Sequence, residues 1–361
     1  MKVKIVDILA ANPGMKGRDI ARKLGVEKKT VNSLLYNDDS GLFFVKENGW
    51  YLNSKDVVIK LNKEGWLTTK DFESLLCESC DLWGNSVESI KFEFNGCAIL
   101  LGAIARILSL VNQLAIEGKR VTLDFTECTQ SFTYLCRVGL FETLDDSVEV
   151  IPELQDYSCH YGQSNKVMEF VSIESKTQQT DLPSKLKKSF IDLAGQQHAN
   201  SAFAFISEFI NNIIEHSHTP IPGVAALQVY GRGNSRKKVQ TVFSDSGRGI
   251  VGTLRPVLDQ RYPKLAEKFS QNKPYSDIFL LKEVLVRGGI SGANDPEYSG
   301  RGLGLKVGAK QAAKFDATVR VRQETYELML RYRNGVLDSD EFRTNLMKMN
   351  GTHICFDFFL D

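Results

Sequence analysis

Apolar and polar positions divide the first 53 residues into short segments of different period. Apolar groups recur at helical spacing in three segments and then form two strand-like runs on either side of Asn48-Gly49, a pair typical of tight turns. The pattern predicts three helices followed by a two-stranded hairpin. The predicted helices are Val3 to Ala11, Lys16 to Leu24 and Lys28 to Tyr36, and the strands are Leu42 to Val45 and Trp50 to Leu52.

The middle of the chain alternates strand and helix patterns. Residues 54–85 are mixed, with one helical stretch at Asp71 to Cys80, and we interpret them as a connector. From Ser89 a strand, a long apolar helix, a second strand and a second helix follow, at Ile90 to Phe94, Ala98 to Glu117, Val121 to Phe125 and Phe132 to Leu144. This order predicts a parallel sheet covered by helices.

The C-terminal half combines hairpins with amphipathic helices. The predicted helices are Ala199 to His216 and Ser276 to Arg287, and the strands are Ala225 to Tyr230, Val239 to Phe243, Thr318 to Arg322, Tyr326 to Arg333 and a closing strand that begins at Gly351. The whole pattern predicts a multidomain α+β chain. Its expected parts are a helical unit at 1–53, the connector at 54–85, an α/β domain at 86–180 and a C-terminal α/β sandwich at 181–361.

Composition and charge narrow the class of protein. The chain has 45 Lys and Arg against 44 Asp and Glu, so any binding of nucleic acid must be local to one segment. No apolar run approaches the ~20 residues of a membrane span, and the first residues lack a signal-peptide core, which predicts a cytoplasmic protein without membrane contact. Seven scattered cysteines fit reduced thiols, and the lone C-x-x-C of Cys77 and Cys80 lacks the further ligands of a zinc site.

Three helices followed by a hairpin have the order of a winged helix, whose third helix usually meets a nucleic-acid groove. Two stretches, KKTVNSLLY and GWYL, resemble the winged helices of the Z-DNA-binding Zalpha family. Residues 1–53 hold nine Lys and Arg against six Asp and Glu, which favours modest, salt-sensitive binding. The alternative is a module for protein docking or dimerisation. The resemblance implies a nucleic-acid-binding surface of Lys28, Lys29, Asn32, Tyr36 and Trp50.

The stretch VTLDFTEC ends a predicted strand with Asp124 and leads into a helix. It resembles the STAS-like domains of anti-sigma-factor antagonists, in which the residue that accepts phosphate lies early in the following helix. The resemblance implies a phosphoacceptor at Thr133, with Ser131 as second choice, and a protein partner for this domain. The alternative is a degenerate docking domain in which Thr133 faces solvent or caps the helix.

In the C-terminal half, the stretch SEFINNIIEH places Glu208 and Asn212 four residues apart on one face of a predicted helix. Asn212 offers a carbonyl oxygen to Mg²⁺, a hard cation, and Glu208 can orient or deprotonate an attacking water. The alternative is a helix with two polar surface residues, because its apolar residues need a core in either case.

A glycine-rich loop, SGRGLGLK, lies at Ser299 to Lys306. Its glycines leave backbone N–H groups bare just before a predicted helix, whose positive N-terminal end favours a bound anion. We interpret it as the phosphate-binding loop of a nucleotide site, formed by Gly300, Arg301, Gly302, Leu303 and Gly304.

A second glycine pattern, SDSGRGIVG, follows a predicted strand that ends at Asp245. Gly247 and Gly249 let the backbone fold back beneath a planar base. With Gly252 they also spell G-x-G-x-x-G, but a dinucleotide site needs a βαβ crossover, and Pro256 interrupts the segment that follows.

These boxes, in this order, resemble the GHKL superfamily of ATP-binding domains, shared by DNA gyrase, MutL, heat-shock chaperones, sensor histidine kinases and anti-sigma kinases. The resemblance implies that Asn212 binds Mg²⁺, that Glu208 is the general base and that Asp245 accepts the adenine amino group. It also implies that Thr352, in the Gly-Thr pair opening the closing strand, approaches the adenine pocket. Residues 250–299 correspond to the family's ATP lid.

Three uses of ATP remain open on the sequence. In the first, binding and slow hydrolysis switch the conformation or dimerisation of the chain, and the winged helix reports that state to nucleic acid. In the second, the domain is a serine/threonine kinase that acts on a STAS-type partner or on its own middle domain. In the third, it is a nucleotide sensor without turnover. We expect the first. A base at Glu208 argues against the third, since a sensor has no need of one, but it does not separate the first two, because a base can activate water or a hydroxyl equally well.

Overall fold

A computed structural model of the chain describes residues 1–38, 42–52, 55–153, 167–173, 182–196, 206–207, 209–214, 219–231, 237–287 and 316–360. Across these residues the protein is a mixed α/β chain with several sheets. The candidate general base Glu208, the glycine-rich loop from Gly300 to Gly304 with Arg301 and Leu303, and residues 288–299 of the candidate lid lie outside the described residues.

The N-terminal unit has the predicted order of elements. Helices α1 (Lys2–Ala11), α2 (Gly17–Leu24) and α3 (Lys28–Tyr36) precede the antiparallel strands β1 (Phe43–Lys46) and β2 (Gly49–Leu52). Each of the five elements has one apolar face, and these faces pack against one another to form a separate hydrophobic core. That core contains Ile5, Leu9, Ile20, Ala21, Val31, Leu35, Phe43 and Trp50.

The turn of this hairpin lies one residue earlier than the sequence predicts. Lys46 pairs with Gly49, so the two turn residues are Glu47 and Asn48, with φ angles of 50° and 65°. Gly49 is required for a different reason, since a Cβ there would lie 2.4 Å from the backbone oxygen of Gly14. The glycine therefore permits close contact between the hairpin and the loop after α1.

The middle of the chain forms a four-stranded parallel sheet. Its order is β3 (Asp56–Asn62), β5 (Ser89–Asn95), β7 (Arg120–Asp124) and β8 (Glu149–Ile151). The crossovers carry helices α4 (Thr69–Glu78), α5 (Leu101–Ile116) and α6 (Thr129–Arg137), a 3₁₀ turn at Phe141–Thr143, and the short parallel strands β4 (Trp66–Leu67) and β6 (Ala98–Ile99).

Residues 54–85, expected to be a connector, supply β3 and α4 to this middle unit. Strand β3 pairs with β5 and buries every second side chain, at Val57, Ile59 and Leu61. Strand β3 thus extends the sheet at its edge, and its alternating pattern gives it one apolar face, which is buried against the neighbouring layer.

The C-terminal half forms a seven-stranded antiparallel sheet, in the order β14, β13, β12, β15, β11, β10, β9. These strands are β9 (Val167–Ile173), β10 (Gly223–Tyr230), β11 (Lys237–Asp245), β12 (Asp316–Glu324), β13 (Tyr326–Arg333), β14 (Val336–Arg343) and β15 (Met349–Leu360). Strand β9, which the sequence boundaries assigned to the middle domain, pairs with β10 and belongs to this sheet.

Five helical segments contribute to the core on one face of the antiparallel sheet. They are α7 (Leu182–Ala194), α8 (the helical residues 209–214), α9 (Gly249–Arg261), α10 (Pro263–Lys268) and α11 (Ser276–Arg287). Helix α9 runs through Pro256, which the sequence predicted would interrupt the segment. The helix survives the loss of one backbone donor because Val251, Leu254 and Leu258 bury its apolar face.

The other face of the antiparallel sheet packs against α5 of the middle unit. Neighbouring residues of β10 alternate between the two cores: Ala225 joins the one with α7 to α11, and Ala226 the one with α5. Residues 101–115 of α5 are all buried, as expected for a helix apolar on nearly every side. The layers are therefore parallel sheet, α5, antiparallel sheet and C-terminal helices.

Candidate functional site

Asp245 lies at the end of β11, directly opposite Thr352 of the adjacent antiparallel strand β15. One carboxylate oxygen, Oδ1, accepts a 2.8 Å hydrogen bond from the backbone N–H of Gly247. The residue as a whole is partly exposed, but protein atoms surround its carboxyl group, and this burial raises the pKa of Asp245 to about 6. Hydrogen bonds from Gly247 and from the backbone and hydroxyl of Thr352 oppose the rise.

Two glycines bring backbone segments close together at the end of β11. Gly351, at φ +92°, has no room for a side chain, since a Cβ there would lie 1.9 Å from the backbone oxygen of Asp245. Gly249, at φ +72°, opens α9, and its Cβ would lie 3.1 Å from the backbone oxygen of Gly351. The predicted residues Asp245, Gly247, Gly249 and Thr352 are thus neighbours in space.

Gln323 holds the Thr352 hydroxyl, a contact that the sequence analysis did not identify. Its Nε2 donates to Thr352 Oγ1 at 2.9 Å, and its Oε1 accepts from the Tyr326 hydroxyl at 3.0 Å. Because Thr352 Oγ1 accepts from Gln323, its own proton is directed to another acceptor, and Asp245 is the one beside it. Only strand register brings Gln323 opposite Thr352, so no motif in the sequence indicates it.

A chain of neutral hydrogen bonds lies behind Asp245. The His353 Nε2 donates to the backbone oxygen of Asn350 at 2.9 Å, so its Nδ1 accepts from the Ser244 hydroxyl, which in turn accepts from Ser109 of α5 at 2.6 Å. Burial, together with Arg322 and Arg106, lowers the pKa of His353 to about 3, which keeps the ring neutral. Since Ser244 and His353 are both buried, this pair is structural and not a nucleophile and its base.

Gln113 of α5 makes a second connection to the same region. Its Nε2 donates to Ser246 Oγ at 2.9 Å and to the backbone oxygen of Asn350 at 3.0 Å, and its Oε1 accepts from the Asn350 N–H at 2.8 Å. Helix α5 is therefore bonded to both sequence neighbours of Asp245, Ser244 and Ser246, and to Asn350, two residues before Thr352.

Asn212 lies on α8 and is half-buried. The helix is fixed to the sheet by Phe209, whose ring stacks on Phe243 with centroids 5.4 Å apart and lies 5.2 Å from Phe356. These rings belong to β11 and β15, the strands that carry Asp245 and Thr352. The candidate Mg²⁺ ligand is thus on a helix that packs against the strands of the candidate adenine site.

The dinucleotide interpretation of the glycine pattern is excluded by topology. Strand β11, which precedes Gly247 and Gly249, is antiparallel to both of its neighbours, β10 and β15. A dinucleotide fingerprint needs a parallel βαβ unit at this point.

The residues expected to contact nucleic acid meet on one surface of the N-terminal unit. Lys28, Lys29, Asn32 and Tyr36, with Ser33, line an open concavity of about 560 Å³ along α3. Tyr36 is 70% exposed, and its ring meets Trp50 edge-on with centroids 4.8 Å apart. Trp50 itself is buried, so its role is to support Tyr36 and it offers little surface for contact with a ligand.

The two hydroxyls expected as phosphoacceptors differ in access. Ser131 is buried and donates to the backbone oxygen of Cys97. Thr133 is half-buried on α6 and donates to the backbone oxygen of Thr129 at 3.3 Å. Phosphorylation at Ser131 requires α6 to move, whereas Thr133 needs only a side-chain rotation.

Comparison with models of known protein families and with curated protein sequences gave no match. In the part of the chain that the structure describes, no three His, Cys, Asp or Glu side chains form a group that could hold a metal ion. The helices formed by those same residues include none that is both long and apolar enough to cross a membrane.

Proposed function

We propose that this protein is an ATP-binding regulator of the GHKL type, in which binding and hydrolysis of Mg-ATP change its conformation. In this proposal the C-terminal sheet and helices are the GHKL sandwich, the parallel sheet is a STAS-like domain and the N-terminal unit is a winged helix that contacts nucleic acid. The Asp245–Thr352 pair, with glycine backbone on both sides, is the observation that carries the proposal.

The hydrogen-bond acceptor at this site, the Asp245 carboxylate, fits a purine base with an amino group. A carboxylate can only accept hydrogen bonds, so Asp245 selects an amino group over a carbonyl oxygen. The missing side chain at Gly247 leaves backbone that can lie flat against a ring, whereas Gly249 and Gly351 let α9 and β15 pack close to the end of β11. Mg²⁺ bound with ATP supplies electrostatic stabilisation of the phosphates, with Asn212 as its candidate protein ligand and Glu208 as the candidate base for water.

Helix α5 connects the candidate site to the middle unit through hydrogen bonds. Ser109 and Gln113 are bonded to Ser244 and Ser246, on either side of Asp245, and to Asn350, two residues before Thr352. These side chains of α5 are buried, so a shift of either strand end must either carry α5 along or leave polar groups unpaired, at about 1–3 kcal/mol each. A ligand that moves the strand ends is thereby coupled to the middle unit.

The proposal is tested with purified protein, γ-labelled ATP and Mg²⁺, with free phosphate and protein-bound label measured in the same sample, with and without duplex DNA. We expect free phosphate, released faster with DNA and absent in Glu208→Ala, with ATP affinity retained in that variant. Label kept on the protein and lost in Thr133→Ala would identify a kinase instead. ATP binding without either product would identify a sensor.

Asp245→Asn tests the adenine contact separately. The amide retains the shape of the side chain but loses the negative acceptor, so we expect at least a tenfold loss of ATP affinity by calorimetry, the usual cost of a charged hydrogen bond. Asp259→Asn, the same change at an exposed position of α9, is the matched control. Equal ATP affinity in the two variants would refute the assignment of Asp245.

A further inference from the structure

Helix α11 and the end of α10 enclose a groove at the surface of the chain. The groove has a volume of about 520 Å³, and its apolar lining comes from Phe269, Pro274, Phe279 and Val286. Phe269 is buried and Val286 half-buried, whereas Phe279 is exposed. Helix α11 thus presents apolar side chains to this groove, which we call the α10–α11 groove, as well as to the core. A partner that covered them would remove apolar surface from water.

An aromatic cluster extends the groove toward β14. The ring centroid of Phe342 lies 5.1 Å from that of Tyr275 and 6.1 Å from that of Phe279. All three residues are at least 39% exposed. Three aromatic rings in contact at a surface form a contiguous apolar patch, and aromatic side chains are enriched where proteins meet. The cluster therefore indicates a docking surface wider than the groove itself.

Hydrogen bonds from Arg255 of α9 fix the two walls of the groove. Its Nε donates to the Asp277 carboxylate at 2.8 Å, and its Nη2 donates to Ser276 Oγ at 2.6 Å. The Ser276 hydroxyl in turn donates to the backbone oxygen of Phe269, just after α10, at 2.6 Å. The end of α10 and the start of α11 are thereby held together, so a partner would meet a preformed surface and would not have to order it.

The charge along the groove is positive. Its charged lining residues are Lys268, Lys273, Lys282, Arg287 and Glu283. Glu283 pairs with Lys268 at 3.0 Å and with Arg287 at 2.9 Å, and Lys282 pairs with Asp340 of β14 at 2.7 Å. Four cations therefore face two carboxylates, in a chain whose 45 Lys and Arg nearly balance 44 Asp and Glu. This local excess favours a partner that brings carboxylates of its own.

Two other occupants fit the groove less well. A nucleic acid would bring phosphates beside Glu283 and Asp340, whose charges repel them. A second copy of the chain could pair along β14, the last strand of the described sheet. Antiparallel pairing of two such strands would bring Asp338, Asp340 and Glu341 of both copies together, and like charges across strands are destabilising. A protein segment with both carboxylates and apolar side chains matches the whole lining.

We propose that the α10–α11 groove docks an acidic amphipathic helix of a partner protein. Phe279 and Val286 are seven residues apart, about 10 Å along α11, so apolar anchors at the same spacing on the partner helix would reach both. The carboxylates of that helix would pair with Lys268, Lys273 and Arg287 along the rim of the groove. The groove thus recognises charge and apolar spacing together, through residues that the proposed nucleotide site does not use.

The test is fluorescence anisotropy of the full chain with a fluorescein-labelled peptide in which Leu and Phe recur at helical spacing among Glu residues. We expect this peptide to bind, and to bind more weakly as the salt concentration is raised. Two control peptides, one of the same composition in scrambled order and one with Lys in place of Glu, should bind about tenfold more weakly or less. Equal binding of the acidic peptide and either control, or no binding of the acidic peptide, would overturn the proposal.

A photo-crosslinking form of the peptide, with benzoylphenylalanine in place of its Phe, locates the contact on wild-type protein. We expect attachment to the tryptic peptide of residues 269–282, which contains Phe269 and Phe279. Attachment only to other parts of the chain would refute the groove as the docking site. This readout needs no ATP and no variant, so it is independent of the proposed function and of the folding of a mutant.

Phe279→Ser tests the apolar anchor and separates the possible occupants. We expect it to weaken binding of the acidic peptide about tenfold, whereas Ile116→Ser, at a similarly exposed apolar residue of α5, should leave binding unchanged. A labelled single-stranded oligonucleotide and sedimentation of the chain alone complete the test. Oligonucleotide binding, or self-association, that is lost in Phe279→Ser but kept in Ile116→Ser would assign the groove to nucleic acid or to a second copy, and either result would overturn the proposal.

Discussion

The Asp245 carboxyl is the residue on which the candidate nucleotide site depends. Burial disfavours the ionised form of this carboxyl and raises its pKa to about 6. The hydrogen bonds from Gly247 and Thr352 favour the ionised form but only partly offset the effect of burial. A ligand amino group would add another donor to the ionised form. A hydrogen bond from that amino group should therefore contribute more binding energy at Asp245 than it would at an exposed aspartate, which water already solvates.

This raised pKa predicts how ATP affinity depends on pH. Only the ionised carboxylate accepts a hydrogen bond from the adenine amino group. In the protein without ATP, Asp245 gains a proton below about pH 6. ATP affinity should therefore fall as the pH is lowered from 7, reaching about a tenfold loss near pH 5. Calorimetry at constant ionic strength measures this, and Asp245→Asn should bind weakly with no such pH dependence. An affinity that is the same at pH 7 and pH 5 would contradict the pKa assigned to Asp245.

At the scale of elements, α3 and α5 have contrasting surfaces. Helix α3 buries Val31 and Leu35 and turns its lysines outward, whereas α5 has no side left for solvent. A helix with one exposed polar face can meet a ligand, and a helix covered on all sides can only transmit a displacement between its neighbours. The two helices therefore suit recognition and coupling respectively.

The α3 surface predicts a charge-dependent interaction with DNA. Replacing Lys28 and Lys29 together with Ala should weaken duplex binding several-fold and reduce the slope of log affinity against log salt by about two, one for each phosphate that is no longer neutralised. Lys4→Ala with Lys23→Ala, at exposed positions of α1 and α2, removes the same charge and is the control. Fluorescence anisotropy over a range of salt concentrations measures both. Equal reductions of affinity in the two double variants would argue against a specific α3 surface.

At the scale of the whole molecule, buried charges join the middle unit to the antiparallel sheet. Glu73 of α4 accepts from Arg106 of α5 at 2.8 Å and from Arg322 of β12 at 2.9 Å, and Arg106 also pairs with Glu327 of β13. All four residues are buried. Removing the Glu73 charge would take from buried Arg322 the carboxylate it pairs with and leave Arg106 with Glu327 alone.

Glu73→Gln tests this network. The amide keeps the shape of the side chain but removes the charge shared by Arg106 and Arg322, so the free energy of unfolding should fall by about 3–5 kcal/mol. Urea denaturation followed by circular dichroism measures the change. Glu88→Gln breaks the exposed pair with Lys55, 2.8 Å apart, and should leave the midpoint unchanged. If both variants unfold at the wild-type midpoint, the network does not stabilise the contact between the units.

The amino-acid sequence by itself determined the elements whose period is local. The predicted bounds of α3 (Lys28–Tyr36), α11 (Ser276–Arg287) and β13 (Tyr326–Arg333) are those of the structure. These elements are set by neighbours three or four residues apart in a helix and two apart in a strand, which any short window of sequence contains. The position of Asp245 at the end of a strand was predictable for the same reason.

Only the tertiary structure decided which elements are neighbours. It placed β3 in the parallel sheet and β9 in the antiparallel sheet, and it brought Gln323 to Thr352 and Gln113 of α5 to Ser246. These contacts depend on strand register and on the docking of apolar faces, between residues far apart in the chain. Many partners could satisfy the same local pattern, so the choice is made when the layers pack together and bury their shared faces.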